Sequence, residues 1–215
     1  MNETLILKSD TFLFSEEEMK PLIKSYSFWQ DSILQSIIYL HIPSGKIDCD
    51  PCYRTGGFYK SGKISVPEKI SDINPIHGVP FHDCRKLPYE NNSINSLIFD
   101  PPFIIYPGKN NFNIMREYGS FRTKKELLQM YNDSFIEFHR ILNKNGVLIV
   151  KCQDGTYGPD LFLSHIDAVI LPCRRTGFKE LDFLILLSKG RPERRDCIQR
   201  KVRKYHSYFC VFKKI

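Results

Sequence analysis

The sequence predicts an α/β domain: a mostly parallel sheet with helices on both faces and one antiparallel strand. Segments with the character of buried strands alternate with segments of helical period along most of the chain. Acidic residues follow several predicted strands, and ligands of parallel sheets collect where the strands end. The last two predicted strands lack an obvious crossover helix between them, so we expect one of them to be antiparallel.

Length and composition set the class of protein. The chain has 215 residues, which suits a single domain over 1–215 with residues 1–26 as an N-terminal extension. Hydrophobic residues make up 42% of it, enough for a packed core. The apolar runs are far too short to cross a bilayer, and the first residues lack the pattern of a secretory signal. We therefore expect a soluble, cytoplasmic protein.

The first half of the chain contains one predicted helix and four strands. The helix begins at a capping-box spacing, Ser27 to Gln30, and ends near residue 41. Short strands are expected at 46–49 and in the segments ending at residues 72 and 83, and a buried strand at 96–99 leads into Asp100. The apolar stripe of the helix consists of Ile33, Leu34, Ile37 and Ile38.

The second half contains two predicted helices and three strands. Thr123 and Glu126 form a capping box at the start of the longer helix, and Pro159 is expected to start the other. Residues 143–146 should turn the chain into a strand at 147–151, and strands at 181–187 and 208–212 flank a basic segment at 189–204. The stripes of the two helices are Leu127, Tyr131, Phe135, Phe138 and Leu142, and Leu161, Phe162, Ile166, Val169 and Ile170.

The positive charge is concentrated near the C-terminus. The formal net charge is +7, yet residues 173–215 hold 13 Lys or Arg against 4 Asp or Glu, a balance of +9. Such a segment on a near-neutral body favours a polyanionic partner such as nucleic acid, with a merely solvated surface as the alternative. The candidate phosphate-binding residues are Arg191, Arg194, Arg195, Arg200, Lys201 and Arg203.

The cysteines raise the question of a metal. Seven are scattered along the chain, and Cys49 and Cys52 have the C-x-x-C spacing. No second C-x-x-C or H-x-x-H pair completes a set of four ligands, so we expect no metal and mostly structural thiols. A zinc-dependent module remains the alternative.

Four carboxylates follow predicted strands in succession: Asp50, Asp72, Asp83 and Asp100. The loop after the first contains the flexible pair Gly56-Gly57. Four such acids beside a glycine loop indicate a bound nucleoside-type cofactor, whereas each acid alone is equally suited to capping the next helix.

Two motifs bring the sequence close to a known family. Residues 50–58 have the form Asp-Pro-x-x-x-Thr-Gly-x-Phe, and Asp100-Pro101-Pro102-Phe103 directly follows a predicted buried strand. On these motifs, residues 27–213 resemble the class I S-adenosylmethionine-dependent amino-methyltransferases, particularly small adenine-N6 DNA methyltransferases of phage and prophage type. The resemblance implies a Rossmann-like domain with a seven-stranded, mostly parallel sheet that has one antiparallel strand.

The resemblance also implies roles for individual residues. S-adenosylmethionine would be the cofactor, with Asp72 at its ribose hydroxyls and Asp83 at its adenine amino group. Arg54 stands where the family has the first glycine of its cofactor loop. The implied cofactor-binding residues are Asp50, Pro51, Cys52, Tyr53, Thr55, Gly56, Phe58, Asp72, Asp83 and Cys84.

The tetrapeptide suits methylation of a base amino group. The lone pair of such a nitrogen is delocalised into the ring, so acceptors for its two hydrogens, the Asp100 carboxylate and the Pro101 carbonyl, favour a more pyramidal and nucleophilic nitrogen. Pro102 has no N–H to compete for these acceptors, and Phe103 offers a flat face to an extruded base. The alternative is a rigid turn after a strand.

The expected function is therefore adenine-N6 methylation of DNA. The alternatives are adenine-N6 methylation of RNA, cytosine-N4 methylation of DNA and a catalytically silent nucleic-acid-binding relative. Residues 104–122, with Tyr106 as a candidate stacking residue, form either a lid or target-contacting loop or an ordinary flexible loop.

Overall fold

The computed structural model of the chain describes residues 22–74, 78–105, 119–157, 159–190 and 202–215. The helices in them are α1 (Gln30–His41), α2 (Lys124–Ile141) and a π-helical turn, His165–Ile170, that continues as α3 (Leu171–Thr176). None of these helices combines the length and the apolar composition needed to span a membrane. The strands are β1 (Tyr26–Ser27), β2 (Cys49–Asp50), β3 (Lys69–Ile70), β4 (Ile94–Phe99), β5 (Leu142–Cys152), β6 (Gly155–Tyr157), β7 (Asp160–Phe162), β8 (Phe178–Leu187) and β9 (His206–Lys214).

Seven of these strands form one twisted sheet in the order β1-β8-β9-β5-β4-β2-β3. β9 pairs antiparallel with both β5 and β8, and the other neighbours pair in parallel. The prediction of a seven-stranded, mostly parallel sheet with one antiparallel strand is therefore confirmed. The chain runs from β2 outward to β3 and returns to β4 on the other side of β2, which creates a switch point between β2 and β4.

Two hydrophobic layers cover the two faces of the sheet. Alternate residues of a strand point to opposite faces, so Leu148 and Val150 of β5 pack with α2 and α3, whereas Val147 and Ile149 pack with α1. This arrangement confirms the predicted helices on both faces.

Helix α1 buries the predicted stripe but does not have the predicted cap. Ile33, Leu34 and Ile37 are buried against the sheet. The N-cap is Trp29, whose side chain makes no capping bond, and the Ser27 hydroxyl accepts from the Trp29 N–H at 3.0 Å. The prediction of a capping box at residues 27–30 is therefore wrong, because Ser27 belongs to β1 and lies too far before the helix to cap it.

Helix α2 is capped by Thr123 as predicted, although the return bond of the capping box goes to the Arg122 N–H and not to the Thr123 N–H. The Thr123 hydroxyl accepts from the Glu126 N–H at 3.1 Å, and the Glu126 carboxylate accepts from the Arg122 N–H at 2.9 Å. The stripe packs under the end of β4, with the Phe99 and Phe138 rings 4.8 Å apart between centroids. This packing fixes the position of the segment that follows Phe99.

The strand predicted to end at Asp83 is absent from the described residues. β3 ends at Ile70. Between β3 and β4 the described residues form only single bridges, Asp72 with Phe81 and Asp83 with Lys86. Prolines at 80 and 88 have no N–H to donate to a ladder, which limits pairing in this segment.

Two further predictions are wrong in their local detail. Residues 143–146 lie inside β5 as an irregularity in the pairing with β4, with Asn145 at φ 64°, so they do not form a separate turn. Pro159 lies between the short strands β6 and β7, and the helix starts later, at His165. The Asp154 carboxylate accepts from the His165 N–H at 3.3 Å and so caps the helix at that point.

Candidate active site

The candidate site is a cavity of about 1110 Å³ at the carboxyl ends of β2, β3 and β4. It lies at the switch point between β2 and β4. Small-molecule pockets commonly measure about 300–1,000 Å³, so this cavity has room for a cofactor and part of a second ligand. The predicted site residues that line it are Pro51, Cys52, Asp72, Asp83, Cys84, Asp100, Pro101, Pro102 and Phe103. Those that do not are Asp50, Tyr53, Thr55, Gly56 and Phe58.

Asp50 is buried and organises the loop behind the cavity wall. Its carboxylate accepts from the Cys52 N–H at 3.0 Å and from the Tyr59 hydroxyl at 2.8 Å. Burial raises the pKa of Asp50 to about 7, and the charges of Asp100 and Asp72 push the pKa in the same direction. Both Asp50 oxygens are therefore bonded within the protein. Asp50 affects the cavity indirectly, because it fixes the position of Cys52, which lines the cavity.

The glycine loop folds back on an aromatic pair. The Tyr53 and Tyr59 rings stack with centroids 5.5 Å apart, and Gly56 has φ +68° beside them. A Cβ at Gly56 would lie 2.5 Å from the Tyr53 hydroxyl oxygen, so both the backbone conformation and the available space require glycine there. Thr55 is exposed, and Phe58 is buried against Phe209 in the core.

Asp72 reaches the cavity with part of its carboxylate still available. One oxygen accepts from the Arg54 N–H at 3.0 Å and the other from the Asn74 N–H at 2.8 Å. A carboxylate has about four acceptor positions, so these two bonds orient the group and leave positions for hydroxyl donors in the cavity.

Asp83 forms a forked ion pair with Arg85, which the sequence analysis did not single out. The Arg85 backbone N–H and guanidinium both donate to the Asp83 carboxylate, and this pairing lowers the pKa of Asp83. A ligand that donates to Asp83 must therefore displace part of this partly exposed pair, which costs little. Next to it, the Cys84 thiol lies 3.4 Å from the Ser134 hydroxyl.

The tetrapeptide follows β4 directly and its turn is held from two sides. The Tyr131 hydroxyl of α2 donates to the Pro102 carbonyl at 3.3 Å. Gly119 has φ +78°, and a Cβ there would lie 3.0 Å from the Pro102 ring. Phe103 is half-buried, so part of its ring faces the cavity.

Lys151 forms an ion pair with Asp100, a partner that the sequence analysis missed. Its ammonium nitrogen lies 3.0 Å from one Asp100 carboxylate oxygen and 5.1 Å from the centroid of the Phe58 ring. Asp100 and Lys151 end neighbouring strands, and both line the cavity. The only signal in the sequence is a lysine at the end of the apolar run 147–150.

Cys49 and Cys52 lie in different surroundings. Cys49 is fully buried in the core layer that contains α2, whereas Cys52 lines the cavity with Cys84. Among the residues that the structure describes, no group of three or more His, Cys, Asp or Glu side chains is placed to hold a metal ion.

A polar network that the sequence analysis also missed lies beside the site. The buried Asp154 carboxylate contacts the His165 Nδ1 at 2.7 Å and accepts from the Tyr208 hydroxyl at 3.2 Å. The neighbouring Gln153 amide donates to the His206 carbonyl at 2.6 Å. The network joins the end of β5 to β9 and to the first turn of the following helix.

The loop predicted as a lid is described only at its two ends. Ile104, Gly119 and Phe121 line the cavity, and the Phe121 N–H donates to the Ile104 carbonyl at 2.8 Å. Tyr106 lies outside the described residues.

Of the candidate phosphate-binding residues, Arg203 is half-buried, and the phosphate-binding role of the group stays a prediction. The others lie outside the described residues: Arg191, Arg194, Arg195, Arg200 and Lys201.

Comparison with known proteins identifies the fold. No protein-family model and no curated protein matches the chain. A SAM-dependent methyltransferase from Methanosarcina mazei is 9% identical with a TM-score of 0.51, over 83% of this chain and 97% of that one. TrmN from Thermus thermophilus is 14% identical with a TM-score of 0.51, over 86% and 49%. The [4+2]-cyclase SpnF is 13% identical with a TM-score of 0.51, over 86% and 81%.

A fourth structure is similar over a shorter region. It is a candidate DNA modification methylase from Thermus thermophilus complexed with S-adenosyl-L-methionine, 22% identical with a TM-score of 0.43 over 61% of this chain. The chain spans about half the length of that methylase, since the alignment covers 53% of it. Because a cyclase shares the fold with a methyltransferase, the activity must be argued from the site. The chain has the Rossmann-like fold of class I methyltransferases.

Proposed function

We propose that this chain transfers a methyl group from S-adenosylmethionine to the exocyclic amino nitrogen of a nucleic-acid base, with adenine N6 in DNA as the favoured target. The observation that carries the proposal is the position of Asp100-Pro101-Pro102-Phe103. The tetrapeptide directly follows β4 at the switch point and lines the same cavity as Asp72 and Asp83. A cofactor site and an acceptor pair for an amino group thus share one cavity.

The chemistry of the cavity wall fits the cofactor. Asp72 has acceptor positions for ribose hydroxyls, and Ile73 and Met130 offer apolar surface to a flat ring. Asp83 is the acceptor for the adenine amino group once Arg85 releases one carboxylate oxygen. S-adenosylmethionine supplies an electrophilic methyl group on a sulfonium, whose positive charge suits a wall that contains carboxylates.

Asp100 and Pro101 orient the target amino group in this proposal. One amino hydrogen is donated to the Asp100 carboxylate and the other to the Pro101 carbonyl, while the base lies against the Phe103 ring. The nitrogen lone pair is then held toward the methyl group, so much of the rate enhancement comes from orientation. After transfer the nitrogen carries a surplus proton, and the Asp100 carboxylate is the group in contact with it.

Lys151 positions Asp100. Its ammonium group binds one carboxylate oxygen, which leaves the other to accept from the amino group. Because the lysine stands on β5 and is half-buried against the Phe58 ring, it restricts the rotation of the Asp100 side chain. The ion pair thus supports the geometry that the tetrapeptide requires.

The basic C-terminal segment and the tetrapeptide together favour a nucleic-acid substrate over a small amine. Adenine in RNA and cytosine in DNA present a chemically equivalent amino group, so they remain the nearest alternative targets.

The proposal is tested by transfer of tritiated methyl from S-adenosylmethionine to DNA and, separately, to RNA. The wild type should label DNA, whereas Asp100→Ala should label neither polymer, because alanine has no side-chain acceptor for the amino hydrogens. Calorimetry should give similar cofactor affinities for the two proteins. The proposal fails if the wild type does not bind the cofactor, or if Asp100→Ala transfers methyl at the wild-type rate.

A further inference from the structure

A second cavity, of about 380 Å³, lies on the β8 and β9 side of Phe103. It shares Phe103, Lys151 and Gln153 with the main cavity, so the two cavities adjoin at these side chains. Its outer part is formed by Phe28 and by Lys189, which follows β8. A ligand with one group at Asp100 and another group beyond Phe103 would therefore reach this second cavity.

Exposed aromatic side chains lie at and next to the second cavity, since Phe28 lines it and Trp29 contacts its lining residue Lys189. Trp29 is 60% exposed and Phe28 47% exposed, directly before α1. Large neighbouring rings left in contact with water commonly mark a binding surface. Their backbone joins β1 to the helix, which fixes the rings relative to the sheet.

Positive charge accompanies these rings. The Lys189 ammonium nitrogen lies 4.3 Å from the centroid of the Trp29 ring, in cation–π contact with it. Lys151 lines the cavity floor, and no acidic residue is found among the described residues that line this cavity. The surface thus combines stacking planes with the positive charge of Lys189.

We propose that the aromatic–lysine surface, formed by Phe28, Trp29 and Lys189, binds the single-stranded stretch of nucleic acid that flanks the target base. The proposal rests on the proposed function, since it takes the base itself to lie at Phe103. Proteins that hold single strands combine aromatic platforms for the bases with basic side chains for the phosphates, and this surface provides both. In this proposal the nucleic-acid strand runs from the Phe103 ring through the second cavity and over Trp29.

Other occupants fit the surface less well. A purely apolar partner would cover the rings but would remove Lys189 from water without an opposite charge. A phosphate backbone supplies that charge, and a nucleic acid with its target base at Phe103 has its neighbouring nucleotides close to this cavity, because Phe103 lines both cavities.

The surface can be observed directly because Trp29 is the only tryptophan in the chain. Titration of the wild type with oligothymidylate should quench the tryptophan fluorescence. Thymine has no exocyclic amino group, so this probe reports binding to the flanking surface and not capture of a target base. Binding of a fluorescein-labelled oligothymidylate should weaken at least about fivefold in Phe28→Ala and in Trp29→Ala. In Lys189→Gln the log–log salt slope should fall by about 0.7.

Two matched variants serve as controls. Phe81→Ala removes an exposed ring, and Lys144→Gln an exposed lysine, away from this cavity, and both should bind oligothymidylate as the wild type does. The proposal is overturned if Trp29 fluorescence does not respond to oligothymidylate, or if Trp29→Ala changes the oligomeric state while oligonucleotide affinity stays constant. If the wild type methylates DNA but shows neither the fluorescence quench nor the changes in affinity and salt slope, the proposed binding surface is wrong and the proposed function stands. A wild type that binds oligothymidylate at Trp29 yet methylates no nucleic acid refutes the proposed function.

Discussion

Asp50 should make the stability of the protein depend on pH in a specific direction. Its pKa is raised to about 7 in the folded state, mainly by burial, against an ordinary value of 3.8. The folded protein therefore holds a proton on Asp50 at pH values where the unfolded chain has lost it. The contribution of Asp50 to the free energy of unfolding should therefore fall as the pH rises from about 4 to about 7, and then level off.

The size of this effect follows from the shift in pKa. A difference of about 3 pKa units corresponds to about 4 kcal/mol in total, of which about 2 kcal/mol is lost between pH 5.5 and 8.5. Asp50→Asn removes the titrating group while keeping an oxygen for the Cys52 N–H. The difference in unfolding free energy between wild type and Asp50→Asn should therefore change by about 2 kcal/mol across this range, in favour of the variant at high pH.

Urea unfolding at several pH values between 5.5 and 8.5 measures this difference. Glu68→Gln is the matched control, because the pKa of this exposed carboxyl is lowered by Lys46 and it does not titrate in the range. A constant difference between wild type and Asp50→Asn across the range would refute the account of Asp50 as a buried organising residue.

Three further predictions concern the cavity. Asp100→Ala should reduce single-turnover methyl transfer about 100-fold or more, because the amino group loses its orientation, while cofactor affinity measured by calorimetry changes little. Gly56→Ala should lower the free energy of unfolding by about 1–2 kcal/mol, because alanine is strained at this backbone conformation and its Cβ would meet the Tyr53 hydroxyl oxygen at 2.5 Å. Gly57→Ala, with nothing within 4 Å of its Cβ, should unfold in urea as the wild type does, and equal stabilities of the two variants would contradict the loop geometry. Phe103→Ala should lose about 1–3 kcal/mol of stacking in kcat/KM, whereas Phe103→Tyr should retain activity.

The sequence predicted best those elements whose pattern lies within a single helix or strand. β4 and α2 were predicted because a short apolar run and a capped helical stripe are local patterns. The antiparallel β9 followed from the lack of an obvious helix between the last two predicted strands, whatever their register. Four acids, at residues 50, 72, 83 and 100, were predicted to lie together at the strand ends. Three of them line the cavity, although the strand predicted before Asp83 is absent from the described residues and Asp50 lies behind the cavity wall.

The parts that could not be predicted depend on contacts between distant segments. The Asp100–Lys151 pair joins residues 51 positions apart, and only the register of β4 with β5 brings them together. Asp50 has the residue type and position of a ligand, yet the Tyr59 hydroxyl reaches its carboxylate and fixes it within the protein. The short strand β1 has only two residues, too few for a periodic pattern.

The central claim is that the methyl group arrives on the amino nitrogen of a base. The most direct measurement is incubation of the protein with DNA and deuterated-methyl S-adenosylmethionine, followed by enzymatic digestion and mass spectrometry of the nucleosides, with RNA in a parallel reaction. The account predicts N6-methyldeoxyadenosine that carries the deuterated methyl group, formed by the wild type and absent with Asp100→Ala. Methyl label confined to a ring carbon or a ring nitrogen, or equal yields from the two proteins, would contradict it.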